Sequence, residues 1–125
     1  MNLEQLISYL PQNADFFVKK WLENHFITLI VTKRRQSKLG DYRKLLANNR
    51  RQITVNGDLN PYAFFFVFTH EVAHLKTFVQ YDAKKINPHG KEWKTIFGQL
   101  LIESIHIYPD QLKPYILHHA KHPKA

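Results

Sequence analysis

Pro61-Tyr62-Ala63-Phe64-Phe65-Phe66-Val67-Phe68-Thr69-His70-Glu71-Val72-Ala73-His74-Leu75-Lys76-Thr77-Phe78-Val79-Gln80 is apolar on nearly every face, the pattern of a central buried helix. Inside it His70 and His74 stand four positions apart. They therefore project from one helix face, one turn from each other, where both imidazoles can reach a single ion. Neutral imidazoles on such a helix need partners, because unpaired buried polar groups are costly. Two core histidines with ordinary hydrogen bonds would leave the carboxylate of Glu71 between them without a role.

The spacing is that of the HExxH motif, in which two nitrogen ligands are joined by a general base, here Glu71. Zn2+ is the expected ion, because imidazoles suit it and three protein ligands leave a fourth position for water. His89, in Pro88-His89-Gly90-Lys91-Glu92-Trp93, is the preferred third ligand. Asn87 as cap and Pro88 at the first helical position would set it in the opening turn of a helix. Glu92 and Glu103 remain alternative ligands of the type used by gluzincins. Glu92 shares a helical face with His89, so it is also a candidate acceptor for that ring from outside the ligand set, or a capping residue. A metzincin would need Gly and His where this chain has Thr77 and Gln80. His118, His119 and His122 lie in a polar, Lys-rich end and read as a solvated or frayed terminus. His25 and His106 are isolated. Tyr81, Tyr108 and His106 are candidates for stabilising an oxyanion.

A chain of 125 residues is expected to form one domain over 1–125, and 44% hydrophobic content supports a real core. The absence of cysteine excludes disulfides, thiolate zinc sites and a cysteine nucleophile, leaving histidine and carboxylate as the available zinc chemistry. Residues 1–10 lack the positive lead and long apolar stretch of an export signal. The apolar runs are too short to span a bilayer. A cytoplasmic protein without a membrane partner is expected. A net charge of +8 and a pI near 9.8 point to a polyanion. Lys33, Arg34, Arg35, Lys38, Arg43, Lys44, Arg50 and Arg51 are opposed within their stretch only by Asp41, and Tyr42 among them is able to stack on a base. These eight cations are the candidate nucleic-acid contacts, and binding DNA would make the protein nucleoid-associated.

Working outward, Leu3, Leu6, Ile7 and Leu10 predict a short helix closed by Pro11, and Asn13 or Asp15 a cap for a second helix. Phe26–Thr32 reads as a buried strand, Leu39-Gly40-Asp41-Tyr42 as a turn into a second strand or extended arm, and Arg51–Asn56 as a third strand. A polar connection covers 81–86, and a last helix begins near Pro109-Asp110. The order predicts an α+β fold, with a small antiparallel sheet of about three strands against the central HExxH helix and further helices at both ends.

Thr69-His70-Glu71-Val72-Ala73-His74, followed fifteen positions later by His89-Gly90-Lys91-Glu92-Trp93-Lys94, resembles the SprT-like domain, which includes the Spartan DNA-repair proteases. Leu39-Gly40-Asp41-Tyr42-Arg43 and Ile53-Thr54-Val55-Asn56 resemble that family's strand region, and the likeness spans roughly residues 25–108. It implies a zincin-like metalloprotease fold with His70, His74 and His89 as ligands of one zinc ion and Glu71 as catalytic acid/base. It further implies a protein substrate and association with DNA, single-stranded or damaged, with cleavage of DNA-crosslinked proteins in the Spartan branch. The competing expectation is a nucleic-acid-binding module that zinc only stabilises. Members of the family commonly continue into a cysteine zinc ribbon, whereas these 125 residues contain no cysteine.

Overall fold

A computed structural model describes residues 3–44, 50–81 and 86–123. They form five α-helices and one three-stranded sheet, divided into two compact units, Met1–Val72 and Ala73–Ala125. The core of the connection read over 81–86, residues 82–85, lies outside the described residues.

In the first unit, helix α1 (Leu3–Ile7) buries Leu6, and helix α2 (Asp15–Leu22) buries Phe17, Val18 and Trp21. The cap of α2 differs from the sequence expectation. Ala14 occupies the N-cap with no side-chain hydrogen bond, because Asn13 adopts a left-handed φ of 70° in the turn leaving Pro11. Asp15 instead sits inside the first turn, where its charge favours the positive end of the helix dipole. Trp21 stacks on Phe65, centroids 5.8 Å apart, and Tyr9 on Phe64 at 5.4 Å. These aromatic contacts seat the N-terminal segment on the first half of the long helix α3 (Pro61–Gln80). That helix is capped by Asn60, whose Oδ1 accepts from the Ala63 N–H at 2.9 Å, and Pro61 fills the first position, where no amide hydrogen is needed.

The sheet comprises β1 (Ile27–Thr32), β2 (Gly40–Lys44) and β3 (Arg51–Asn56) in the order β1-β3-β2. The expected wholly antiparallel sheet is corrected here. β2 pairs antiparallel with β3, whereas β1 pairs parallel with it. Seven residues, 33–39, carry the chain from β1 past one strand position to β2, and β3 then fills the gap. A connection of that length easily spans two strand spacings of about 4.8 Å each. Being central, β3 has the sheet's most buried residues, with Ile53, Thr54, Val55 and Asn56 all enclosed.

The second unit contains the end of α3, α4 (Lys91–Glu103), a 3-10 turn at Ile105–Ile107 and α5 (Lys113–Lys121). Trp93, Phe97, Leu101 and Ile116 build its core. Gly98 permits the close approach of α4 and α5, since a Cβ there would stand 2.5 Å from the Ala120 carbonyl oxygen. Both helices start later than the sequence suggests. Asn87 closes a turn, with the Gly90 N–H donating to its carbonyl, and α4 begins only at Lys91 with Gly90 as cap. Pro109 likewise closes a turn onto Leu112, and Pro114 supplies the early-helix proline of α5. No helix among the described residues is long and apolar enough to cross a membrane.

Candidate metal centre

His70, Glu71 and His74 all lie on α3, so helical geometry alone places the two imidazoles one turn apart. His89 arrives from the turn ahead of α4. Its backbone is held there by Asn87, whose Oδ1 accepts from the His89 N–H at 3.1 Å, and Pro88 stiffens the intervening position. The sequence-based expectation of His89 within the helix is therefore corrected to a pre-helical turn: Asn87 caps a turn of its own.

Trp93 organises the rings. Its fully buried indole lies nearly parallel to His74, with centroids 5.2 Å apart and planes 23° apart, and takes His89 edge-on at 4.8 Å. The His74 and His89 rings are themselves 4.5 Å apart. From sequence alone Trp93 reads only as part of an apolar helix face. Its spacing of four residues after His89 was the available signal.

One ligand nitrogen from each of His70, His74 and His89 lies within 4.8 Å of the others, the only such group of three among the described residues. A tetrahedral zinc ion with Zn–N bonds of about 2.0–2.1 Å would set its nitrogens about 3.3 Å apart. The observed separations are of that order, and three imidazoles are a donor set that suits a divalent cation favouring nitrogen. Burial and the nearby Lys94 ammonium hold His89 below the usual imidazole pKa, which favours the neutral form that can bind metal. Neither Glu92 nor Glu103 belongs to the group. The Glu92 carboxylate turns back toward Gly90, 3.5 Å from where a Cβ on that glycine would stand.

Glu71 is 8% exposed, and its Oε2 lies 3.9 Å from His70 Nε2. Burial, reinforced by the Asp41 carboxylate and opposed by Arg35 and Lys38, pushes its pKa up to about 8 in the metal-free protein. The start of β2 packs directly on this group. A Cβ on Gly40 would stand 3.0 Å from Glu71 Oε2 and 2.7 Å from Val67 Cγ1. Gly40, Asp41, Arg35 and Lys38 are thus neighbours of Glu71 that no local sequence pattern connects to it.

The eight basic candidates differ in exposure. Lys33, Arg34, Lys38, Arg43 and Lys44 are exposed, while Arg35, Arg50 and Arg51 are partly buried. Arg35 donates from Nε to Asn56 Oδ1 at 2.8 Å. Arg50 lies over the Phe26 ring at 4.1 Å and donates to Thr28 Oγ1. Arg51 faces Tyr42, a half-buried residue rather than an open stacking platform. Lys38 and Arg43 both pair with Asp41, and Arg34 approaches Asp58 at 3.8 Å. Strand alternation also sends Arg43 and Lys44 to opposite faces of the sheet.

Of the remaining candidates, Tyr108 is enclosed in the core of its unit, whereas Tyr81 and His106 are exposed. His118 and His119 stand on α5 and His122 is its C-cap, with the His118 and His122 ring centroids 5.1 Å apart; that end is helical through Lys121, and His118 and His122 are solvent-exposed as expected.

These features define a class: an α+β protein whose long HExxH helix and following turn bring three imidazoles within reach of one cation, beside a buried carboxylate. A family model matches residues 8–114, and the chain belongs to the SprT-like family. No curated protein and no solved structure matches it.

Proposed function

We propose that this protein is a zincin-like, zinc-dependent metallopeptidase that acts on DNA-associated or DNA-crosslinked proteins. The observation carrying the proposal is the approach of the His70, His74 and His89 nitrogens to within 4.8 Å, with the buried Glu71 carboxylate next to His70. A zinc ion held by those rings would supply Lewis acidity toward a peptide carbonyl and lower the pKa of water at its open position. Glu71 takes a proton from the attacking water, orients the attack, and returns the proton to the leaving amine. His70, His74 and His89 serve as neutral ligands, with Trp93 fixing the faces of the last two. Membership in the family supports a peptidase-type domain. The five exposed cations, Lys33, Arg34, Lys38, Arg43 and Lys44, support a polyanionic partner and are the residues we assign to phosphate contacts.

The test is cleavage of unfolded and DNA-bound protein substrates by wild type and Glu71→Gln, with and without single-stranded DNA. Glu71→Gln should lower the rate by roughly 10²- to 10⁴-fold, the usual contribution of a general base. Equal rates would remove Glu71 from the mechanism. Salt-sensitive DNA binding without any proteolysis by wild type would point instead to a binding module that zinc only stabilises.

A further inference from the structure

Asn56 closes β3 and is fully buried, yet every hydrogen-bonding position of its carboxamide is used. Its Oδ1 accepts from Thr32 Oγ1 at 3.1 Å and Arg35 Nε at 2.8 Å. Its Nδ2 donates to the Arg35 carbonyl at 3.2 Å and the Lys38 carbonyl at 3.0 Å. Backbone bonds shut the ends of the same segment: Asn56 N–H donates to Leu39 O, and Gly57 N–H to Thr32 O, both at 2.8 Å. The connection 33–39 is thus wrapped around one side chain, and it delivers Gly40 to its seat against Glu71 and Val67.

We propose that Asn56 is a positioning residue for Glu71: its carboxamide locks the 33–39 connection, and with it Gly40, against the catalytic carboxylate. The inference rests on the function proposed above. Only an amide presents two acceptor and two donor positions in this arrangement. Aspartate lacks the donors, leucine lacks both, and either would leave the Arg35 and Lys38 carbonyls without their partner. The same clamp sets Arg35 through its Nε, so the positive charge beside Glu71 is held by the residue that holds the loop.

Asn56→Leu, which keeps size and net charge, and Thr32→Val, which removes one donor, test this against Glu71→Gln in the same peptidase assay. For Asn56→Leu, kcat should fall at least tenfold with KM within twofold of wild type and zinc per chain unchanged. Thr32→Val should lower kcat by a smaller factor, about two- to fivefold, in line with losing one of four contacts. Amide hydrogen exchange, measured with and without zinc, should accelerate over 32–40 in both variants while α3 keeps its protection. Wild-type kcat in folded, zinc-loaded variants would overturn the proposal, as would unchanged exchange over 32–40. If Asn56→Leu does not fold, Thr32→Val decides by the same two readouts. If Glu71→Gln itself retains wild-type activity, the failure lies with the peptidase reading and not with the clamp, which the exchange data then judge alone.

Discussion

Metal-free protein should lose stability as pH rises from about 4.5 to 8, and Glu71 should be the cause. Its carboxyl, buried beside Asp41, has a pKa of about 8 in the fold against a usual 4.5. Between those values the folded chain keeps a proton that the unfolded chain has released. The unfolded state then binds fewer protons, so unfolding becomes easier as pH increases. The stabilisation is complete below 4.5 and gone above 8. At about 1.4 kcal/mol for each pH unit, the full difference corresponds to about 5 kcal/mol. Relaxation and water entry around the carboxylate reduce it, so about 2–5 kcal/mol is expected. Urea unfolding in the presence of a chelator, at several pH values, should show this slope in wild type but not in Glu71→Gln. The comparison matters because His89, held below its usual pKa, works in the opposite direction. Saturating zinc should shrink the difference between the two proteins, since a dication at the adjacent histidines favours the ionised carboxylate. Parallel pH profiles for metal-free wild type and Glu71→Gln would refute the reasoning.

His89→Ala should lose its zinc on dialysis while wild type keeps about one ion per chain; full retention, measured by elemental analysis, would return Glu92 or Glu103 to the ligand set. Gly40→Ala should cost about 1–3 kcal/mol, because the new methyl meets Val67 Cγ1 at 2.7 Å and Glu71 Oε2 at 3.0 Å. An unchanged denaturation midpoint would show that β2 can shift without penalty. Trp93→Ala should cost about 3–5 kcal/mol and also weaken zinc binding, since the indole packs against both His74 and His89; a zinc titration with wild-type affinity would exclude the orienting role. Neutralising Lys33, Arg34 and Lys44 should flatten the salt dependence of DNA binding by roughly two to three in log–log slope, whereas the same change at Arg50 should act mainly on stability.

The sequence by itself determined what is local. The periodicity and motif of 61–80 defined the long helix and its two ligands, because a helix fixes the separation of residues four apart without help from the rest of the chain. The alternation of Arg51–Asn56 likewise marked β3, whereas the Asn60 cap at the start of α3 was seen only in the structure. Tertiary structure decided what depends on partners distant in sequence. The parallel pairing of β1 with β3 follows from which gap the third strand fills, and no single strand encodes that choice. Asn87 looked like a helix cap but closes a turn, since the same side-chain bond serves both until the following residues commit. The environment of Glu71, with Gly40 and Asp41 beside it and Arg35 held by Asn56, exists only once the sheet has formed. Exposure along the basic run was likewise a tertiary matter: three of its eight cations found partners within the fold, which their sequence neighbours do not specify.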